Sequence, residues 1–248
     1  MERRVCIDFL PESGLRYRAG WTVVAIDVIR ATTMAITAAA MGRRCYPVAS
    51  LDEAWQRAGS LLDPLLAGEL AGDMPEGFHL NNSPNELAAR ADTRRPLVML
   101  SSSGTKLMVN ALGCDALYLA CFRNSAATAR HIRQDAPPRV ALLGAGSRGE
   151  FREEDQICCA WIGAALARGG YTAQDDATAR VIERWGAARP SDCLVSHSIG
   201  YLRRSGQLAD LDFILDRIDD LDEAYLLEDG RVVPAKRRGV APALAGSR

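Results

Sequence analysis

The sequence predicts an α/β protein with a mostly parallel or mixed sheet flanked by helices, and with a C-terminal helical and hairpin segment. Short apolar runs that suit strands are each followed by a polar loop and a helical stretch, and this order occurs five times. Such alternation is typical of parallel sheets covered by helices, whose loops at the carboxyl ends of the strands share one edge. Polar loop residues are therefore expected to converge at that edge.

The first unit, residues 22–42, places an acid and an arginine between a strand and a helix. Asp27 ends an apolar run, and Arg30, Thr32 and Thr33 follow at the start of an alanine-rich helix. Unpaired N–H groups at a helix N-terminus favour anions. A carboxylate beside such a helix start suits a metal ion next to a phosphate.

The second unit repeats this pattern with another acid. A short apolar run ends on Glu69, a glycine-rich loop follows, and Asn82 leads into a capped helix start. Ser83 supplies the cap hydroxyl, Pro84 takes the first helical position, and a glutamate stands three residues after the cap. The polar residues at the helix starts of the remaining three units are Ser103, Gly104, Thr105, Asn124, Glu154 and Asp155.

The last third of the chain has a different pattern. Residues 175–185 and 190–205 are predicted to be helical, and residues 211–215 are predicted to form a strand. Asp229-Gly230 between two apolar runs predicts a two-residue hairpin turn. Residues 1–234 are expected to form a single α/β domain, alternatively two intimate halves, and residues 235–248 a disordered tail.

Composition limits the function classes. The 248 residues are 48% hydrophobic and 25% charged with a net charge of −1, which gives no electrostatic argument for nucleic acid or membrane as a partner. No apolar segment suits a signal peptide or a membrane span, so a cytoplasmic location is expected. Seven cysteines without CxxC spacing argue against a disulfide framework and a structural zinc site. A homo-oligomer is compatible with the sequence.

One motif indicates a different function. Gly144, Gly146 and Gly149 have the G-x-G-x-x-G spacing of dinucleotide-binding loops directly after a predicted strand. That function also needs a later strand that ends on an acid, and the segment after the next helix is predicted to be helical. The glycines are interpreted as a loop that lets the backbone approach an anion, with dinucleotide binding as a weaker alternative.

Taken in order, several motifs resemble the 2-phosphosulfolactate phosphatase family. They are DVIRATT, GE followed by GF and NSP-x-E, SSSGT, F-x-N, and AG followed by ED-x-x-C, and they cover most of the chain. The resemblance implies an α/β fold of its own type and magnesium-dependent hydrolysis of a phosphate monoester. The implied product is 3-sulfolactate, on the route toward coenzyme M.

The residues themselves are compatible with that chemistry, because Mg²⁺ usually takes one or two carboxylates plus water and substrate phosphate. The predicted metal ligands are Asp27, Glu69, Glu154 and Asp155. The predicted catalytic residues are Asp27, Arg30 and Glu69. The predicted substrate-binding residues are Arg30, Thr32, Thr33, Asn82, Ser83, Ser103, Gly104, Thr105 and Asn124. For Arg30, a bidentate contact to phosphate or sulfonate competes with a structural salt bridge.

Two mechanisms fit these residues. Either water attacks phosphorus while Arg30 and the helix starts hold the developing charge, or Asp27 itself becomes a phosphoenzyme. Water attack is favoured, because phosphatases with an aspartyl nucleophile usually have a second aspartate two residues later, where this chain has Ile29. A non-catalytic protein that binds a phosphorylated or sulfonated metabolite remains the alternative from another class.

Overall fold

A computed structural model describes residues 2–236 of the chain. In this part, ten strands form one sheet, and their bounds in chain order are Arg3–Phe9 (β1), Thr22–Ile26 (β2), Cys45–Val48 (β3), Leu65–Gly68 (β4), Leu97–Leu100 (β5), Ala116–Ala120 (β6), Arg139–Gly144 (β7), Tyr171–Ala173 (β8), Tyr225–Glu228 (β9) and Arg231–Pro234 (β10). The α-helices are Ala31–Ala40 (α1), Leu51–Gly59 (α2), Pro84–Ala88 (α3), Gly104–Asn110 (α4), Ser125–Asp135 (α5), Glu153–Arg168 (α6), Asp176–Trp185 (α7), His197–Arg204 (α8) and Leu208–Leu215 (α9). Two 3₁₀ segments, Pro11–Arg16 and Pro190–Val195, complete the elements.

The sheet consists of two parallel blocks joined by an antiparallel hairpin. Its strand order is β4-β5-β3-β10-β9-β6-β2-β7-β1-β8, and β2 lies inside the larger block between β6 and β7. The hairpin pairs antiparallel with β3 on one side and with β6 on the other. The predicted α/β class with a mixed sheet, flanking helices and a C-terminal hairpin is confirmed.

The hairpin changes how the loops meet. Because three antiparallel steps separate β3 from β6, the strands of the two blocks run in opposite directions, and their carboxyl ends do not share one edge as expected. Strand-to-strand twist of roughly 20–25° adds up to roughly 100–125° over the five steps from β5 to β2. This rotation turns the carboxyl end of β5 back toward that of β2, so that Gly104 lies against Asp27.

Helix α1 lies in the interior. Its first eight residues are all buried, and its alanines and threonines are small enough for strands and helices of both blocks to approach it closely. A helix that is apolar on all sides is stable only when it is enclosed. The N-terminus of α1 is thereby held at the centre of the molecule, directly after Asp27.

The C-terminal third departs from prediction at two points. Residues 211–215 belong to helix α9 and do not form a strand, and Leu211 and Leu215, one helical turn apart, pack in the same apolar cluster. A short apolar run does not distinguish a helix from a strand by periodicity alone. A three-residue strand, β8, precedes α7 where only helix was predicted. Asp175, which follows β8, accepts a hydrogen bond from the Thr178 N–H and caps α7.

The hairpin turn and the predicted helix of residues 175–185 are confirmed. Asp229 and Gly230 have φ of 50° and 71°, as a type I′ turn requires. The N–H of Ala235 donates to the carbonyl of Ala224, and residues 237–248, most of the predicted disordered tail, lie outside the described residues. Within residues 2–236, no helix combines the length and apolarity needed to cross a bilayer.

Candidate functional site

A cavity of about 830 Å³ opens where the carboxyl ends of the two blocks face each other. Loops after β2, β4, β5 and β7 form its walls, and helix α8 with the residue before it forms the remaining side. Predicted site residues that line it are Asp27, Arg30, Glu69, Asn82, Ser103 and Asp155. Two regular parallel blocks therefore deliver side chains from separate parts of the chain to one place.

Asp27 is held rigidly at the inner end of this cavity and is 8% exposed. Its Oδ1 accepts a hydrogen bond from the Ala31 N–H at 3.1 Å, and its own N–H donates to the Thr32 hydroxyl at 2.9 Å. The pKa of Asp27 is raised to about 7, chiefly by burial and also by the nearby charges of Glu69 and Glu154, while the hydrogen bond from Ala31 and the charge of Arg30 oppose the rise. Such a carboxyl can gain or lose a proton near neutral pH.

Asp155 and Glu154 begin helix α6 and are almost fully buried. Asp155 accepts hydrogen bonds from the N–H groups of Val28 and Gly146 at 2.9 and 3.1 Å, which ties the loop after β7 to the loop after β2. Burial and the charges of Asp27 and Glu154 raise the pKa of Asp155 well above its usual range. Two repelling carboxylates in one buried place favour a bound cation or a retained proton.

Glu154 lies behind the cavity wall and is 1% exposed. Burial raises its pKa, and hydrogen bonds from Ser196 and Ser198 lower it. Within the described residues its Oε2 has no hydrogen-bond partner. A buried carboxylate oxygen without a donor is costly, so this atom marks a place where a cation or a proton would be stabilised.

Glu69 joins the loops after β4 and β5. Its Oε1 accepts from the Ser102 N–H at 2.7 Å, and its Oε2 accepts from the Gly72 N–H at 2.7 Å and from the Ser102 hydroxyl at 2.9 Å. Three donors fix the carboxylate at the cavity wall opposite the larger block. Its position therefore depends on both loops.

Arg30 lines the cavity and is also one half of a buried ion pair. Its Nη1 donates to Asp210 Oδ2 of α9 at 2.5 Å, and both side chains are at most 3% exposed. The Oδ1 of Asp210 also accepts from the Ser83 hydroxyl and from the Asn85 N–H. Arg30 therefore has the structural salt bridge considered as an alternative, and it keeps further N–H donors at the cavity.

Two threonines predicted to bind substrate use their hydroxyls within the chain. The Thr32 hydroxyl lies 2.7 Å from the Ala120 carbonyl and 2.8 Å from the Asp27 carbonyl. The Thr33 hydroxyl donates to the Val28 carbonyl at 2.7 Å. Both side chains are buried behind the cavity, where they tie the first turn of α1 to the strand ends.

Other predicted residues also lie outside the cavity lining. Ser83 caps α3 and contacts Asp210, and Gly104 lies against Asp27. The Thr105 hydroxyl bonds to the backbone of Ser101. The amide of Asn124 bonds to Leu119 and Cys121 and holds the start of α5. Their contacts are those of residues that shape the loops.

Several cavity residues were not predicted from the sequence. Arg148 and Arg152 come from the loop after β7, and His197, Tyr201 and Arg204 come from α8. The loop after β7 contains a signal that the sequence shows, because its two arginines lie close to the glycines of the G-x-G-x-x-G motif and to the acids that begin α6. Helix α8 offered none, because it does not follow a strand and its approach to the cavity depends on tertiary packing.

The fit to a metal ion is partial. Among residues 2–236, no set of three or more His, Cys, Asp and Glu side chains is arranged to hold a metal ion by itself. Mg²⁺ rarely needs such a set, since it keeps several waters and binds through one or two carboxylates plus a substrate phosphate. Asp27, Glu69 and Asp155 line the same cavity and provide those carboxylates.

Comparison with known proteins gives a consistent result. A family described as 2-phosphosulpholactate phosphatase matches residues 9–227. Three relatives carry the name "Probable 2-phosphosulfolactate phosphatase". The Symbiobacterium thermophilum protein is 36% identical over 58% of this chain and 63% of its own length, slightly under two thirds. The Deinococcus radiodurans protein is 32% identical over 85% of this chain and 88% of its own length. The Carboxydothermus hydrogenoformans protein is 28% identical over 94% of this chain and 98% of its own length.

The contact between Gly104 and Asp27 leads to a first prediction. A Cβ added at Gly104 would overlap the Asp27 carboxylate and the Ala31 side chain. Gly104→Ala should therefore destabilise the fold by about 1–3 kcal/mol and displace Asp27. Urea unfolding measures this, with Gly59→Ala as the control, because nothing lies within 4 Å of a Cβ there. Equal free energies of unfolding for the two variants would contradict the contact.

The buried ion pair leads to a second prediction. Asp210→Ala leaves the Arg30 guanidinium buried without its partner, so the free energy of unfolding should fall by about 3–5 kcal/mol. Asp212→Ala, an exposed acid two residues along the same helix, should change it by less than about 0.5 kcal/mol. A small loss in Asp210→Ala, matching the Asp212 control, would mean that α9 does not dock through this pair.

Proposed function

Since the chain belongs to the 2-phosphosulpholactate phosphatase family, we propose that it hydrolyses a small anionic phosphomonoester with the help of Mg²⁺. The proposed substrate is the one in the names of its relatives, 2-phosphosulfolactate, whose hydrolysis would give 3-sulfolactate and inorganic phosphate. The observation that carries this proposal is the meeting of three carboxylates from separate loops with Arg30 in one cavity. Membership of the family implies action on a small phosphorylated compound. The proposal adds that the metal is Mg²⁺ and that the ester is 2-phosphosulfolactate.

One or two of the carboxylates of Asp27, Glu69 and Asp155, together with water and the substrate phosphate, would hold the Mg²⁺, and Glu154 would add negative charge from behind. When bound, the ion would neutralise charge on the phosphate oxygens and help to orient water. The mutual repulsion of the acids and the orphaned Oε2 of Glu154 support a cation here. These carboxylates are fixed by backbone donors before any ligand arrives, so little reorganisation is needed on binding.

Arg30 would bind the phosphate. The ion pair with Asp210 uses Nη1 and fixes the orientation of the guanidinium, Nη2 makes a long hydrogen bond of 3.5 Å to Asn81 Oδ1, and Arg30 lines the cavity. Charge-assisted contacts from a planar fork suit the oxygens of a phosphoryl group. Because the guanidinium cannot rotate freely, it would stabilise the charge that develops in the transition state without an entropic cost at that moment.

Hydrolysis requires water to attack phosphorus while the ester oxygen leaves, so the attacking water loses a proton and the departing alkoxide gains one. Asp27, a carboxylate at the inner end of the cavity, would accept the proton from the attacking water as a general base, and the departing alkoxide would take its proton from solvent. The alternative is a covalent aspartyl phosphate on Asp27. We favour water attack, because Asp27 is 8% exposed and its Oδ1 is fixed by the Ala31 N–H.

The third prediction tests the activity. Purified protein should release phosphate from 2-phosphosulfolactate only with Mg²⁺, and Asp27→Asn should lower kcat at least about a hundredfold while the protein stays folded. Asp52→Asn, which changes an exposed acid on α2, is the matched control and should leave kcat unchanged.

Two outcomes would count against the proposed enzyme. Wild-type rates in Asp27→Asn would remove Asp27 from the chemistry. Tight binding of these esters with no phosphate release from any small phosphomonoester, with or without Mg²⁺, would favour a non-catalytic binding protein.

The fourth prediction uses the raised pKa of Asp27. Its ordinary value of 3.8 becomes about 7 on folding, so ionisation of this group opposes folding increasingly as pH rises from about 4 to 7. In metal-free protein, the Tm of the wild type should therefore fall relative to that of Asp27→Asn across this range. Each kcal/mol corresponds to about 2–4 °C in a chain of this size.

Mg²⁺ should reverse this trend by favouring the ionised carboxylates. The rise in Tm on adding Mg²⁺ should be larger at pH 8 than at pH 5.5, and it should shrink in Asp27→Asn. Differential scanning fluorimetry measures both quantities without any substrate. A rise in Tm that is the same at both pH values, and the same in both proteins, would place the ion elsewhere.

A further inference from the structure

The charges around the cavity are unevenly paired. Two of its arginines have acid partners: Arg30 pairs with Asp210, and Arg152 pairs with Glu150 at 3.0 Å. Arg148 and Arg204 also line the cavity, and neither forms an ion pair with the part of the chain that the structure describes. After these pairs are set aside, the cavity retains the acids Asp27, Glu69 and Asp155 and two arginines, Arg148 from the loop after β7 and Arg204 from α8.

Arg204 is directed to this cavity by its helix. The hydroxyl of Tyr201 donates to the Gly72 carbonyl at 2.6 Å and docks α8 on the loop that holds Glu69. A Cβ added at Gly200 would lie 3.2 Å from Arg204 Nη1, so the guanidinium lies beside Gly200, one turn toward the start of the helix. Gly200 lines the cavity as well. A glycine inside a helix costs stability, and here it leaves room for the arginine.

We infer that Arg204, assisted by Arg148, binds a second anionic group of the substrate. This inference rests on the proposed function, in which the acids with Mg²⁺ and Arg30 take the phosphate. A guanidinium that has no acid partner among the described residues can pair with a carboxylate or sulfonate of the substrate. The preferred substrates are then phosphomonoesters that carry a second strong anion a few bonds from the ester oxygen, and esters with uncharged tails are poor substrates.

The test compares one variant on two kinds of ester. Arg204→Gln should lower kcat/KM about ten- to a hundredfold for 2-phosphosulfolactate and less than about twofold for p-nitrophenyl phosphate, which has no second anion. Phospholactate, which keeps the carboxylate and lacks the sulfonate, distinguishes the two anions. Arg203→Gln is the matched control, because Arg203 is an exposed neighbour on α8 that does not line the cavity. Arg148→Gln should show the same selectivity.

A binding measurement separates this inference from the proposed activity. By calorimetry, Arg204→Gln should raise the Kd of 3-sulfolactate about tenfold or more and leave that of inorganic phosphate unchanged. Equal losses on both esters, or no loss on either, would overturn the inference while the phosphatase stands. Wild-type protein that releases no phosphate from any ester would instead refute the proposed function. In that case the inference is also overturned if 3-sulfolactate binds the wild type and Arg204→Gln with equal Kd, or binds neither of them.

Discussion

The burial of Asp27 between two sheet blocks is the constraint on which the site depends. A carboxylate removed from water is costly, and Asp155 and Glu154 repel it from the start of α6. The fold keeps these acids together by giving Asp27 and Asp155 backbone donors from neighbouring loops. The remaining imbalance of charge is relieved by a proton or by a cation. An arrangement that is unfavourable for the empty protein is therefore favourable for binding, which is typical of functional sites.

The second organising contact is the ion pair between Arg30 and Asp210. It links the loop after β2 to helix α9, and the same carboxylate also accepts from Ser83 at the start of α3. Buried ion pairs contribute little net stability, but loss of one partner is expensive, so the pair acts as a strict condition on how the C-terminal helices dock. Because α8 precedes α9 in the same segment, the docking of α9 also positions the cavity wall that carries Arg204.

The sequence predicted the parts of the site that have local causes. Asp27 and Glu69 end buried strands, and Asp155 lies in the first turn of a helix, so their common location follows from alternating strands and helices. The sequence did not show that the hydroxyls of Thr32 and Thr33, which are predicted to bind substrate, bond to nearby carbonyls. It also missed the contributions of α8 and α9, because nothing in the local sequence of a helix states which distant loop it covers. The opposite direction of the two blocks was missed for the same reason, because it depends on a distant contact. The C-terminal hairpin inserts between β3 and β6, and this pairing sets the relative direction of the blocks.

The fold holds the acids that line the cavity differently from the arginines that have no acid partner among the described residues. Acids from the strand loops line the cavity, and hydrogen bonds between loops hold Asp155 and Glu69, from the Val28 N–H in one case and from Ser102 in the other. Arg148 and Arg204, which form no ion pair within residues 2–236, come from the loop after β7 and from α8, and both residues are exposed. In the proposed reaction, chemistry on the phosphate would fall to the most buried part of the fold, and recognition of the rest of the substrate would fall to the exposed arginines at the rim. Substitutions at Arg204 or Arg148 are therefore expected to change which ester is used, and substitutions at Asp27 to change whether any ester is hydrolysed.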